Sequence, residues 1–305
     1  MWDFYLSCMN IIGREVDEER IEYITSKIKE KKELSGIDNT IVIEQVKNHL
    51  SKNSKLLDNF VQGKKIAERA LMKSVREILR KMHGTYNSDL KKRTELLNQF
   101  KTNNSRELVI ELMKTHKSTA ERLEIYENLY HNIFEITENP SSILDLGCGL
   151  NPLSVIFLDD KEIDYLACDI SSSDLEIITV VLSTYDDMTI ETKPINLFDA
   201  KKKNIFSKFD QFDICFLFKI FDSIELSKSH KLSEEIIKCV PADWVVVSFP
   251  TRTVSGKKMN YPGRGWFEKM LGRLKLFHRK LEYDNEVFYV IKKIPESKTN
   301  SEDVE

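Results

Sequence analysis

The stretch SSILDLGCGLNPLSVIF, residues 141–157, decides the fold. Its apolar run at 142–146 reads as a buried strand that breaks into Gly147-Cys148-Gly149, with Pro152 close behind. Glycine turns the backbone sharply and lets a ligand approach without meeting a Cβ. In an open α/β sheet such a loop lies beyond the carboxyl ends of the strands, where ligands bind. The next apolar run, IDYLACDI, reaches Asp169 twenty residues after Gly149. A carboxylate at the end of a second strand can accept both hydroxyls of a ribose.

Outward from this stretch the texture continues to alternate. Short apolar runs at 164–168, 213–218 and 244–249 have helix-like segments between them, as strands buried on both faces of a parallel sheet should. LKLFHRKLEYDNEVFYVIKK closes as a hairpin around Asp284-Asn285. Before residue 140 the texture is helical. IAERALMKSVREILRKMH (66–83) repeats apolar residues at Ile66, Ala70, Val75, Ile78, Leu79 and Met82, and Gly13, Gly36 and Gly63 lie between candidate helices. The expected class is α/β: a mostly parallel, Rossmann-like sheet with an antiparallel terminal hairpin, behind an all-helical N-terminal domain. The expected domains are 1–115, helical; 116–295, the sheet domain; and 296–305, a disordered polar tail.

At 305 residues and a net charge of −3, no overall sign dictates a partner. The distribution says more. Residues 51–110 hold 14 Lys/Arg against 6 Asp/Glu, residues 251–280 hold 9 against 1, and residues 159–191 reverse this with 10 acids and one lysine. Two basic blocks that meet in the fold would make a positive face; separately, each is a solvated helix surface. Cys8, Cys148, Cys168, Cys215 and Cys239 are scattered, with no CxxC pair, so buried free thiols in a reducing cytoplasm are expected and a structural metal is not. No apolar run approaches a membrane span, and the N-terminus lacks the basic leader of a secretion signal.

The glycine loop narrows the ligand. Pro152 stands where a dinucleotide site wants its third glycine, and no GK[ST] follows as in a P-loop. DLGCG, with Asp145 ahead of the glycines, resembles the first motif of S-adenosylmethionine (SAM) methyltransferases. That resemblance gives Asp145 the cofactor's ammonium, Gly147 and Gly149 the close backbone approach, and Asp169 with Ile170 the ribose end. Asn196, Leu197 and Phe218, after the third and fourth strands, would surround the adenine; ordinary core is the competing role for Leu197 and Phe218. For the methyl acceptor, FLFKIFDS after the fourth strand lacks the D/NPPY/F loop of exocyclic-amine enzymes, and neither Cys215 nor Cys239 sits in a Pro-Cys setting. His230 and His278 read as helix-surface and strand residues. A guanine N7 needs no base, because its lone pair is free and no proton leaves. No general base is therefore assigned.

Three segments together resemble the 16S rRNA (guanine-N7) methyltransferases of aminoglycoside resistance. They are HKSTAERLEIYENLYHNIF (116–134), the opening stretch, and VVVSFPTRTVSGKK (245–258) with WFEKML after it. The likeness spans roughly 70–293; the first ~65 residues find no counterpart. It implies that His116 and Arg122 reach the cofactor's methionine end, Arg122 pairing with the carboxylate. It also implies that Arg252, Ser255, Lys257 and Lys258 grip phosphates beside the target base, and that Trp266 either stacks on a flipped base or anchors the next helix. From the residues alone, Ser118 with Glu121 reads as a capping box opening a helix. The expected protein is a cytoplasmic, monomeric, SAM-dependent enzyme without metal that acts on 16S rRNA within the small subunit. Two rivals stay open: a SAM enzyme acting on a small molecule or protein, and a ribosome-assembly factor with an idle cofactor pocket.

Overall fold

The computed structural model describes residues 8–83, 90–158, 162–199, 205–225, 230–253, 256–259 and 264–293. The expected tail at 296–305 and Ser255 lie outside them.

The chain opens with an antiparallel hairpin, β1 (Cys8–Ile11) and β2 (Arg14–Asp17), ahead of the helices the composition announces. Gly13 therefore turns a hairpin and does not separate two helices. Ile12 and Gly13 both have positive φ, 48° and 74°, the combination a two-residue hairpin turn demands. Helices α1 (Glu18–Lys29), α2 (Asn39–Ser51), α3 (Ser54–Val61) and α4 (Lys65–His83) follow. Asp17, Asp38 and Asn53 cap α1, α2 and α3 with their side-chain oxygens. In α4 the buried stripe is Ala67, Leu71, Val75, Leu79 and Met82, close to a four-residue step. Ile66 and Ala70, read above as part of that face, point outward, with Ile66 76% exposed. The stripe that runs unbroken along one side won over the scattered one. These residues and β1–β2 share one hydrophobic cluster.

Helices α5 (Leu90–Phe100), α6 (Arg106–Lys114), α7 (Lys117–Ala120) and α8 (Tyr126–Ile136) lead into the sheet. Its strands are β3 (Ser142–Leu146), β4 (Ile163–Asp169), β5 (Met188–Pro194), β6 (Phe212–Phe218), β7 (Ala242–Pro250), β8 (Phe277–Glu282) and β9 (Glu286–Lys292), with helix α9 (Ser172–Leu182) between β4 and β5. The order across the sheet is β5-β4-β3-β6-β7-β9-β8. All neighbours are parallel until β9, which pairs antiparallel with both β7 and β8. The α/β class and the hairpin around Asp284-Asn285 are as expected.

Side chains alternate between two cores, one on each face. Ile143, Ile214, Phe216, Val246 and Phe288 face a core that also takes Leu97 of α5, Leu112 of α6 and Tyr130 of α8. Leu144, Cys215, Leu217, Val247 and Tyr289 face the other. Helices on both sides of the expected 115/116 boundary thus share one core with the sheet. The chain order reverses between β3 and β6, and a crevice opens there, outside the carboxyl ends of both strands.

Candidate functional site

The crevice is a pocket of about 800 Å³, part of it open to solvent. Its floor is the loop after β3. Gly147 N–H donates to the Cys168 carbonyl at 2.8 Å, and Gly149 N–H donates to Asp169 Oδ2 at 2.9 Å. Both glycines have positive φ, +69° and +52°. A Cβ on Gly149 would stand 2.6 Å from His116 Nε2, and one on Gly147 would stand 2.7 Å from Ile220 Cδ1. The space above the loop exists because both residues lack a side chain.

His116, Arg122, Gly147, Gly149, Asp169, Ile170, Asn196, Leu197 and Phe218 all line this pocket. Asp169 ends β4, and its second oxygen accepts from Ser171 N–H at 2.9 Å. Leu197 and Phe218 line the pocket and belong to the cores as well, so their two readings do not compete.

Asp145 stands apart. It is buried beneath the loop, and its Oδ2 accepts from Asn151 Nδ2 at 2.8 Å and from Tyr165 OH at 2.7 Å. Burial pushes its carboxyl up to about 6, against the pull of those two hydrogen bonds. Asn151 also accepts from Tyr126 OH at 2.9 Å. Asp145 thereby ties the turn after the glycines to β4 and α8.

Arg122 is buried, and its Nε and Nη2 fork onto Glu286 at 3.0 and 2.9 Å. Lys219, at the end of β6 with φ 56°, reaches the same carboxylate at 2.9 Å and Glu121 at 2.7 Å. Burial works against both charges in the Arg122–Glu286 pair, yet each outweighs it for the other: the guanidinium is held protonated and Glu286 falls below the usual carboxylate range. Burial, with Arg93 and Arg122 nearby, pushes the His116 imidazole well below its ordinary value, so the ring is neutral at pH 7.

The capping box at Ser118 does not form. His116 precedes the four-residue helix α7, Ser118 lies inside it, and Glu121 turns to Lys219. The tertiary ion pair outcompetes the local cap.

Several lining residues have no local sequence signal. Met82 and His83 come from the end of α4, and Asp174 comes from the first turn of α9. Asp174 pairs with buried Arg93 of α5 at 2.5 Å, and Arg93 Nε donates to Thr115 Oγ1 at 2.8 Å. The α5 arginine thus braces both α9 and the residue before His116.

The basic loop lies elsewhere. Arg252 and Lys258 face each other across an antiparallel bridge after β7 and both pair with Asp284, at 2.5 and 3.3 Å. Lys257 is exposed, and none of the three lines the crevice pocket. Trp266 is half-buried and stacks on His230, with ring centroids 3.7 Å apart. His230 thus serves the packing of a helix start, where its sequence position suggested only helix surface.

A family model described as "Ribosomal RNA methyltransferase (FmrO)" matches residues 63–274. The 16S rRNA (guanine(1405)-N(7))-methyltransferase of Proteus mirabilis is 27% identical over 203 residues, which is 62% of this chain and 66% of that protein. The enzyme of the same description from Micromonospora rosea is 28% identical over 186 residues, 59% of this chain and 64% of that one. The match thus spans just under two thirds of these relatives. Among solved structures, the 16S rRNA methylase RmtB superposes with a TM-score of 0.64 at 22% identity, covering 90% of this chain and 98% of that one. The 16S rRNA methyltransferase RmtF, solved with S-adenosyl-L-homocysteine, gives 0.66 at 19%, covering 92% and 100%. At these identities the superpositions show a shared fold.

Proposed function

The chain belongs to the FmrO family of ribosomal RNA methyltransferases, and from that premise we propose that it methylates N7 of a guanine in the decoding region of 16S rRNA, with SAM as donor. The observation that carries this is the glycine cradle with Asp169 fixed at its rim. The pocket fits such a cofactor. Asp169 spends one lone pair of each oxygen on Gly149 and Ser171 and keeps others for two ribose hydroxyls. Ile170, Asn196, Leu197 and Phe218 would hold the adenine. His116 and Arg122 would hold the methionine end, with Asp145 supporting the loop from below.

When bound, SAM supplies a methyl group on a positively charged sulfur. The chain's own residues then have three tasks: to orient the base, to exclude water and to leave N7 unprotonated. The carboxylates lining the pocket, Asp169 and Asp174, are already engaged, one by backbone N–H groups and one by Arg93. N7 attack suits that arrangement, because the N–C bond forms as the S–C bond breaks and no proton has to leave.

RNA docking would use two exposed basic surfaces. One is the outer side of α4 with Lys64, Lys65, Arg69 and Lys73; the other is exposed Lys257 and Lys258 beside half-buried Arg252. Such cations bind phosphate and recognise structured RNA by shape. No described helix is long and apolar enough to cross a membrane. The enzyme would act as a cytoplasmic monomer without metal, and its product would protect the host from aminoglycosides.

The test is transfer of labelled methyl from SAM to small subunits, naked 16S rRNA or no RNA, followed by chemical cleavage at N7-methylguanine. Label at one guanine of the small subunit is expected. Label on adenine or protein, or turnover without RNA, overturns the proposal.

A further inference from the structure

The turn that follows Asp169 is held from outside the sheet domain. Gly36, Ile37 and Asp38, the residues leading into α2, lie along Ile170–Ser173. Ile37 forms an antiparallel bridge with Ser171, Asp38 N–H donates to the Ile170 carbonyl at 2.8 Å, and Ser173 N–H donates to the Gly36 carbonyl at 3.3 Å. Ser172 Oγ donates to Asp38 Oδ2 at 2.7 Å. Gly36 eases this approach, since a Cβ there would stand 2.3 Å from Ser173 Oγ and force that side chain to move. Ile37 is fully buried, and Ile170 packs on the N-terminal cluster while also lining the pocket. Asp169 Oδ1 accepts from Ser171 N–H, within this same turn.

From these contacts we infer that Asp38 is a positioning residue for the cofactor site, and that the N-terminal helical region builds that site besides docking RNA. This rests on the SAM reading of the pocket. Asp38 uses its two oxygens differently. Oδ1 caps α2 through Thr40 N–H at 2.8 Å, and Oδ2 takes the Ser172 hydroxyl. With both turns anchored, Asp169 meets a ribose without first paying to order its own loop.

The test is calorimetric binding of S-adenosylhomocysteine to the full chain, with no RNA present. Asp38→Ala, which removes both the α2 cap and the Ser172 bond, should weaken binding about fivefold. Asp38→Asn, which keeps the cap and an exchange with Ser172, should bind like wild type. Asn53→Ala removes the comparable cap of α3, away from the pocket, and should also bind like wild type. Ser172→Ala leaves the α2 cap intact and should weaken binding about threefold, so the test survives an Asp38→Ala chain that does not fold. Unchanged binding in both Asp38→Ala and Ser172→Ala overturns the inference, as does equal weakening in Asp38→Ala and Asn53→Ala. A wild-type chain that ignores S-adenosylhomocysteine sinks the SAM reading itself, a distinct result.

Discussion

Two carboxylates only two positions apart each gather two cations, and they do opposite things. Glu286, at the start of β9, takes Arg122 and Lys219 in a site where none of the three side chains is more than 3% exposed. Asp284, in the turn just before, takes Arg252 and Lys258 with 68% of its own side chain exposed. The stoichiometry is the same and the surroundings differ. Inside, charges already stripped of water depend on each other and on Ser248, whose hydroxyl also donates to Glu286. Outside, water and salt compete at every moment, and the pairing can be exchanged for another anion. The buried triad is architecture in the wall of the pocket, which Arg122 and Lys219 both line. The exposed one is a surface where, on the proposed reading, an RNA phosphate would replace the aspartate.

The largest effect should come from breaking the buried triad. Glu286→Gln leaves Arg122 uncompensated and Lys219 with Glu121 alone, and removing one partner of such a cluster costs ~3–5 kcal/mol. Urea unfolding should show the midpoint fall accordingly. The pH dependence has a definite sign. Glu286 lies below its ordinary 4.5 when folded, because Arg122 and Lys219 outweigh the cost of burial. Its advantage over Gln is therefore full above about 4.5 and fades as pH drops through the lower, folded value. An advantage that stayed constant down to acid-unfolding conditions would show that the carboxylate's charge is not what stabilises the site.

This triad also marks the limit of what the sequence tells. Gly147, Gly149 and Asp169 were legible because one strand-loop-strand unit holds them and each is needed for a local reason. Arg122 and Glu286 are 164 positions apart, Arg93 and Asp174 are 81 apart, and Asp38 and Ser172 are 134 apart. Nothing local in a single chain says which of many charges will meet. Glu121 shows the converse: its spacing from Ser118 satisfies a capping pattern, yet Lys219 holds it. The motif resemblance gives Asp145 the cofactor's ammonium, whereas its hydrogen bonds to Asn151 and Tyr165 carry no local signal.

At the exposed triad the cations should matter to RNA and hardly to folding. Arg252→Ala and Lys258→Ala should each weaken binding to small subunits and flatten the dependence of log K on log salt by about one. Thermal unfolding should stay where it is. If either variant lowers affinity without changing the salt slope, that residue does not contact phosphate. The same substitution at Lys219 should do the reverse, lowering stability and leaving the slope alone.

The smallest effect, and the sharpest discriminator, is removal of the exposed carboxylate. Hydrogen bonds from Arg252 and Lys258 depress Asp284 below its ordinary value, so it is charged at neutral pH. If it occupies the place of a phosphate, Asp284→Ala frees two cations already aligned across the Arg252–Lys258 bridge. RNA binding should then tighten modestly at low salt, and the gain should vanish as salt screens the loop. Asp284→Asn should show the same gain, since the charge and not the shape is what competes. Binding that weakens in both variants would mean that Asp284 holds the loop in its working form, and the contrast with Glu286 would then be one of degree.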